Sequence, residues 1–147
     1  MTARGAAAAG AAMLAASVGN AQGAPPPNPF QGQQTMAGQA LQVPDGPLQV
    51  NVSSAVLPDH AVIGTHMHFW SRYVYVQTGT VQVTLIDKGI TQTFGPNSVI
   101  VEPIGLWHCG VVVDGPATLI TVEQVPPGRE NKIELPGPPG KCPQTRP

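Results

Sequence analysis

Residues 60–79, HAVIGTHMHFWSRYVYVQTG, carry the pattern from which the architecture follows. Their β-branched and aromatic residues follow a period of two, and no helical stripe of apolar residues crosses them, so they predict extended chain. Because successive side chains of a strand point to opposite faces, His66 and His68 project from the same face. The backbone thereby fixes the separation of two imidazoles that are able to hold one metal ion.

A third imidazole follows later in the chain. His108 stands forty residues after His68, behind the turn-forming sequence Pro-Ile-Gly at 103–105 and ahead of the β-branched run 111–113. Neutral imidazole nitrogens bind Zn, Fe, Cu, Ni and Mn, and three of them leave coordination positions for water, substrate or dioxygen. The sequence therefore predicts one divalent metal ion held by His66, His68 and His108.

The chain around these histidines is strand-like. Period-two or β-branched runs occupy residues 48–52, 73–77, 80–86, 99–101, 111–113 and 118–125. Turn signals stand at Thr78-Gly79, Asp87-Lys88-Gly89, Gly95-Pro96-Asn97 and Asp114-Gly115-Pro116. Many short strands separated by turns predict an all-β sandwich or barrel. Since the strand region is small for such an architecture, a homodimer would cover surface that a single domain leaves exposed.

The composition divides the chain into four segments. Residues 1–21 carry Arg4 followed by an uncharged Ala-rich stretch and small residues at 19 and 21, the pattern of a secretory signal peptide. Residues 22–47 form a Pro/Gly/Gln-rich linker or arm, residues 48–125 the β-barrel, and residues 126–147 a Pro-rich tail. We expect an exported protein, periplasmic or extracellular, without a membrane span.

Charge and cysteine content narrow the partners. The net charge is −1 and becomes −2 when Arg4 is removed, and no basic block occurs, so neither nucleic acid nor an anionic membrane surface is expected as a partner. A small molecule is the expected ligand. The two cysteines, Cys109 and Cys142, can pair in an oxidising compartment or remain free thiols, and sequence spacing does not decide between these.

The histidine spacing resembles that of the cupins. Their first motif is Gly, five residues, His-x-His, three or four residues, Glu, six residues and Gly; here His60, His66, His68, Arg72 and Gly79 occupy those positions. The resemblance implies a single-domain cupin jelly-roll barrel with a metal ion in its mouth.

The second cupin motif is Gly, five residues, Pro-x-Gly, two residues, His, three residues and Asn, and here Asn97, residues 103–105, His108 and Val112 stand there. His60 and Asn97 replace motif glycines at turns, which Asn tolerates better than His. Val112 replaces the motif Asn. His60 has the same parity as His66, although a place in a surface turn is the simpler interpretation.

Arg72 is the largest departure, because the motif Glu at this position is usually the fourth metal ligand. A guanidinium stays protonated and cannot ligate. If Arg72 faces the cavity, it is suited to hold a substrate carboxylate. If it instead turns outward or pairs with a nearby Asp or Glu, the metal site is weakened or lost. Both alternatives remain open at the level of sequence.

The resemblance implies a function as well as a fold. Cupins with only three histidine ligands occur among dioxygenases, so Fe(II) is the favoured metal and an exported, dioxygenase-like oxidoreductase acting on a small anionic or aromatic substrate is the leading interpretation. Mn, Zn, Cu and Ni fit the same nitrogens. The alternative is a non-catalytic cupin that binds a metal or a small ligand. Glu102 and Glu123 are acid/base candidates, but no sequence feature places either one beside a substrate.

Overall fold

The alternating pattern folds into seven antiparallel strands in a computed structural model that describes residues 30–135 and Cys142. The predicted signal peptide, residues 1–21, lies outside the described residues. The strands are β1 Gln49–Leu57, β2 Val62–His68, β3 Arg72–Leu85, β4 Ile90–Phe94, β5 Val99–Glu102, β6 His108–Val125 and β7 Lys132–Glu134. The described residues contain one short 3-10 turn and no helix of the length and hydropathy that a membrane span requires.

Two long strands organise the sheet. β3 and β6 pair with each other over most of their length, with Arg72 opposite Glu123 at one end and Leu85 opposite His108 at the other. At the end of the pair that contains Arg72, β1 lies beside β6 and β5 lies beside β3, so the strand order is β1-β6-β3-β5. At the other end, the strand order is β4-β3-β6-β2-β7. The hydrogen-bonded path does not close on itself within the described part of the chain. The all-β jelly-roll prediction is confirmed, as two sheets that share their central strands.

Two of the predicted turns are wrong, because β3 runs through Thr78-Gly79 and β6 runs through residues 114–116. The pairing register between the two strands shifts between Val76 and Val81, so these segments are bends that carry the strands from one sheet to the other. Gly79 has a φ of 73°, and a Cβ there would lie 2.6 Å from the Ala117 Cα. Glycine is required because both the backbone angle and the close approach exclude a side chain.

The inner faces of the two sheets form one core. Its buried members come from both halves of the jelly roll: Val74, Val76, Ile100, Ala117 and Leu119 from one, and Val81, Val83 and Val112 from the other. On the outer face of β1, Val50, Val52 and Val56 are 58%, 67% and 70% exposed. A homodimer that covers this exposed face of β1 stays a prediction.

The segments before and after the strand region pack against it. In residues 30–47, the Met36 amide donates to the Val101 carbonyl at 2.8 Å, and the Gln39 side chain donates to the Ile104 carbonyl at 2.8 Å. The predicted tail contributes β7, which pairs with β2 beyond the expected end of the barrel at residue 125. A three-residue strand is too short to show a period of two, so no pattern in the sequence indicated it.

The C-terminal segment is tied to β6 by a disulfide between Cys109 and Cys142. Cys109 is fully buried and packs with Val111 on the face of β6 opposite to His108. The sequence left open whether the two cysteines form a bond or remain free thiols. The fold brings their Cα atoms to 5.6 Å, which allows the bond.

Candidate metal centre

A bulge in β2 turns both histidines of the His-x-His sequence inward. Ile63 pairs with Gly110, whereas His66, three residues later, pairs with His108, only two residues away on β6. The extra residue in β2 reverses the alternation of side chains. Ile63 therefore packs against the core, and His66, of opposite parity, is also buried. The bulge also means that the shared parity of His60 and His66 does not place them on the same face. The His60 side chain is 73% exposed in a turn, where its φ is 61°.

The three predicted ligands converge, and each ring is oriented in the same way. Their ring centroids lie 4.4–5.1 Å apart. Each Nδ1 lies close to a backbone carbonyl: His66 to Gly64 at 2.6 Å, His68 to Asn131 at 2.8 Å, and His108 to Leu106 at 2.9 Å. Because a carbonyl oxygen only accepts, every Nδ1 is the donor, and in the neutral rings the Nε2 lone pair is free to ligate.

Glu102, at the end of β5, joins the three histidines. Its Oε2 lies 3.0 Å from the His68 Nε2, and its Oε1 lies 3.9 Å from the His108 Nε2. One donor atom from each of the four residues falls within 4.8 Å of the others, and all four residues are buried. We call these four residues the histidine–glutamate cluster. From the sequence, Glu102 was identifiable only as an acid/base candidate, and no local pattern indicated its place beside the histidines.

Three of the atoms with which the cluster could bind a metal lack hydrogen-bond partners within the described part of the chain. The buried atoms His68 Nε2, His108 Nε2 and Glu102 Oε2 are all unpaired in this sense. Since Nδ1 of His68 carries a proton, a neutral ring would present the Nε2 lone pair to a carboxylate oxygen at 3.0 Å. That contact is repulsive unless a proton or a cation lies between the two atoms. Three imidazole nitrogens and one carboxylate oxygen fit a divalent first-row metal.

The electrostatics of the cluster keep His66, His108 and Glu102 in the protonation states that bind a metal. Burial lowers the pKa of His66 to about 4 and also lowers the pKa of His108. Burial alone would raise the pKa of Glu102, but a hydrogen bond with His68, which requires a proton between the two side chains, and the positive charge of Arg72 outweigh it and bring that pKa to about 2. At neutral pH, His66 and His108 are neutral and the carboxylate is ionised, as metal binding requires.

Arg72 faces inward and pairs with two glutamates. Its Nε lies 3.5 Å from the Glu102 Oε2 and 3.9 Å from the Glu123 Oε2. Arg72 is opposite Glu102 in the β3–β5 register, so the carboxylate expected at position 72 is found on the neighbouring strand. Of the two alternatives for Arg72, the structure combines an inward orientation with local pairing to Glu. The cluster nevertheless retains a carboxylate.

Asn131 connects the cluster to its surroundings. Its carbonyl accepts from His68, and its side-chain oxygen accepts the backbone amides of Phe69 at 3.1 Å and Trp70 at 2.8 Å. Its side-chain nitrogen lies 3.3 Å from the Glu123 Oε2 as a donor. Asn131 is 3% exposed. These bonds fix the end of β2 and hence the orientation of His68.

Comparisons with solved structures identify a similar fold. Oxalate decarboxylase from Bacillus subtilis at pH 4.6 has a TM-score of 0.52 and 21% identity, over 58% of this chain and 24% of that one. A second structure of that enzyme, concerning its Mn(II) centres, has a TM-score of 0.45 and 22% identity, over 50% of this chain and 20% of that one. An RmlC-like cupin from Shewanella frigidimarina has a TM-score of 0.43 and 19% identity, over 50% of this chain and 64% of that one.

The likeness covers only part of the decarboxylase, since the chain spans about a quarter of its length. No protein-family model matches the sequence, and no curated protein matches it. What the likeness establishes is the fold.

Proposed function

The chain has the cupin jelly-roll fold, and we propose that it holds one divalent metal ion in the histidine–glutamate cluster and acts as an oxidoreductase of the dioxygenase type. The proposed ligands are the Nε2 atoms of the three histidines and the carboxylate of Glu102. The expected set of three histidines is thus enlarged by one carboxylate from β5.

The observation that carries the proposal is the contact between His68 and Glu102. A buried imidazole nitrogen and a buried carboxylate oxygen, 3.0 Å apart, lack hydrogen-bond partners in the described chain while the opposite ring nitrogen already donates. A cation between them satisfies both atoms and also the Nε2 of His108.

Fe(II) is the favoured metal, and Mn(II), Zn(II), Cu(II) and Ni(II) accept the same donors. A bound Fe(II) would supply a redox-active Lewis acid with coordination positions left over from four protein ligands. Mn(II) belongs among the metals tested, because the carboxylate of Glu102 is a type of ligand that suits Mn(II). Around the metal, this chain's own residues orient the imidazoles, hold the carboxylate ionised and place Arg72 beside it.

The substrate proposed for this centre is a small anionic or aromatic molecule. Arg72 supports the anionic class, because its guanidinium is the cation next to the cluster and also lines a cavity.

Export to a periplasmic or extracellular space is part of the proposal. The Cys109–Cys142 disulfide supports it, since such bonds persist in oxidising compartments. Fractionation of the native cells, followed by N-terminal sequencing of the purified protein, tests it. Recovery of the protein in the cytosol with Met1 or Thr2 at its N-terminus would contradict export.

The metal site is tested by elemental analysis and calorimetric titration with Fe(II), Mn(II) and Zn(II), the Fe(II) titration under anaerobic conditions. We expect about one metal ion per chain in the native protein and negligible metal in the variant His66→Ala/His108→Ala. Glu102→Gln should weaken binding by at least the roughly 10-fold that loss of an outer-shell partner causes. His60→Ala is the matched control, because His60 is exposed and should leave the affinity unchanged. Equal metal content in all four proteins would contradict the site.

Dioxygen consumption tests the reaction class. The Fe(II)-loaded protein is exposed to thiols, diketones, hydroxy-aromatics and small hydroxy-carboxylates, and oxygen uptake above that of the His66→Ala/His108→Ala variant is the expected result. Metal binding without oxygen uptake for any compound would contradict the enzymatic part of the proposal and leave the metal site intact.

A second candidate function is a metal-binding protein without catalysis. The observation that favours it is Arg72, which stands between Glu102 and the cavity that it lines and so occupies the approach to the cluster from that side. The oxygen measurement separates the two functions, since both require metal and only one consumes oxygen.

A further inference from the structure

A cavity of about 300 Å³ lies on the inner side of the β1-β6-β3-β5 sheet, and it is lined by Arg72 but by no member of the histidine–glutamate cluster. Asn51 and Ser53 line it from β1, and they share the face of Leu57, which packs against the core. Thr121 and Glu123 line it from β6, on the face of the buried Leu119. The cavity therefore continues the inner face of this sheet to the surface, where Ser53 and Arg129 are exposed.

The basic character of the cavity comes from Arg72. Its Nε faces the carboxylates of Glu102 and Glu123, whereas its side chain is 22% exposed and lines the cavity. Arginine has five N–H donors, and within the described chain the terminal amino groups of Arg72 make no hydrogen bond. These free donors form a fork that fits a carboxylate.

Glu123, the acid nearest to Arg72 in the cavity, already has hydrogen-bond and ion-pair partners. Glu123 accepts from Asn51 at 3.2 Å and from Asn131 at 3.3 Å, and its carboxylate lies 3.9 Å from the Arg72 Nε. The other charged lining residues are two cations and one acid: Arg129, Lys132 and Glu130. Because Lys132 donates to Glu134 at 2.7 Å, the cations left for a ligand anion are Arg72 and Arg129.

The other wall presents hydroxyl groups. Ser53 and Thr121 are directly opposite each other in the β1–β6 register, and neither side-chain hydroxyl has a protein partner within the described chain. Among the described residues, the nine that line the cavity are polar, and none of them is aromatic or aliphatic. An aromatic ligand would find no aromatic or branched aliphatic side chain to pack against here, whereas a hydroxylated chain would find hydrogen-bond donors and acceptors.

We propose that this cavity binds a small aliphatic hydroxy-carboxylate, with its carboxylate on the terminal amino groups of Arg72 and a hydroxyl on Ser53 and Thr121. This proposal goes beyond the proposed function, because Arg72 stands between the cavity and Glu102 and no member of the histidine–glutamate cluster lines the cavity. The claim that the hydroxy-carboxylate binds rests on the cavity alone.

The test is calorimetric titration of the metal-free and the metal-loaded full chain with tartrate, succinate and benzoate. Tartrate should bind in both forms, succinate more weakly because it lacks the hydroxyls, and benzoate not at millimolar concentration. Arg72→Gln should weaken tartrate binding at least 10-fold through loss of a charged hydrogen bond. Lys88→Gln is the charge-matched control, since Lys88 lies on the 3-10 turn and does not line the cavity.

A second variant keeps the test decisive if Arg72→Gln proves unstable. Ser53 is exposed, so Ser53→Ala should fold normally. It should weaken tartrate binding roughly 2- to 10-fold, the value of one hydrogen bond, and leave succinate binding unchanged. Tartrate affinity unchanged in both variants, or benzoate binding as tightly as tartrate, would overturn the proposal.

The two proposals fail separately. Tartrate binding to a protein that takes up no metal would contradict the metal centre and support the cavity. Metal uptake with no binding of tartrate or succinate would contradict the cavity alone.

Discussion

Glu102 on β5 supplies the carboxylate that the motif would place at position 72 of β3, directly opposite it in the strand pair. Position 72 is where the motif would place a carboxylate, and the carboxylate that reaches the histidines comes from the opposite residue of the neighbouring strand. Two inward-facing positions directly across a ladder point their side chains into the same space. Position 72, where the motif places the carboxylate, and position 102, where the carboxylate is found, therefore lie on neighbouring strands, which are about 5 Å apart.

Because the two positions are directly opposite each other, we predict that the two residues can be swapped. Glu102→Arg alone should abolish metal binding, because it replaces a donor with a cation beside the histidines. The double variant Arg72→Glu/Glu102→Arg should recover at least 10-fold of the lost affinity, because it restores a carboxylate and the ion pair together. Calorimetric titration with Mn(II) measures both. A double variant as inactive in binding as Glu102→Arg would contradict the equivalence of the two positions.

At the scale of the element, the bends in β3 and β6 allow one pair of strands to belong to two sheets. The bend at Gly79 depends on a backbone angle and on a close approach that only glycine meets. It keeps the start of β3, with Arg72, in one sheet while the end of β3 pairs with the start of β6, next to His108. The geometry of the site thus depends on a residue outside it.

Gly79→Ala should destabilise the fold strongly. The variant combines a left-handed backbone with a Cβ 2.6 Å from the Ala117 Cα, and we expect a loss of at least about 1–3 kcal/mol in the free energy of unfolding. Gly89→Ala is the matched control, since Gly89 also has a positive φ, 61°, but its Cβ would meet nothing within 4 Å. Urea denaturation measures both variants. Equal losses would show that the close approach at Gly79 is unimportant.

At the scale of the whole molecule, the disulfide fastens the C-terminal segment to the strand that begins with His108. Its two cysteines are 33 residues apart in the sequence. In the chain-entropy model, a loop of this size is worth about 3–4 kcal/mol, because the bond restricts the unfolded chain.

Cys142→Ser should therefore lower the free energy of unfolding by about 3–4 kcal/mol. The wild-type protein in excess reducing agent should show a similar loss, which separates the effect of the bond from that of the substitution. Urea denaturation with and without reductant is the measurement. No difference between oxidised and reduced protein would contradict a stabilising role of the bond.

The buried histidines predict an acid-sensitive metal-free protein. The pKa of His66 in the folded state, about 4, is below its ordinary value of 6.5, so the unfolded chain binds more protons between these pH values. Stability contributed by the neutral ring is present above pH 6.5 and is lost as the pH falls towards 4, on the order of 3 kcal/mol for this one group. The lowered pKa of His108 acts in the same direction.

The measurement is urea denaturation of the chelator-treated protein at about pH 7, 6, 5 and 4, which spans the titration of the rings. We expect a steady fall in the free energy of unfolding over this range, and a shallower fall in His66→Gln, which removes one of the titrating groups. A stability that does not change with pH over this range would contradict the neutral, buried state of the rings.

Features under local physical control were predictable from the residues alone. Period-two patterning predicted strands because a pleated strand alternates its side chains, and the Asp87-Lys88-Gly89 and Gly95-Pro96-Asn97 turns were predicted because their residues suit turn backbones. The His-x-His spacing placed two rings on one strand. His60 and Asn97, identified as turn positions, both adopt left-handed backbones, with φ of 61° and 65°.

Which other side chains reach those rings depends on the folded chain as a whole. Glu102 lies 34 residues from His68 in the sequence, and its position depends on the register of β5 against β3 and on the bulge in β2. The same is true of the Cys109–Cys142 bond and of the bends at Gly79 and residues 114–116. Register and bulges are set by pairing between distant segments, so no local pattern encodes them and a shift of one residue would turn each of these side chains to the other face.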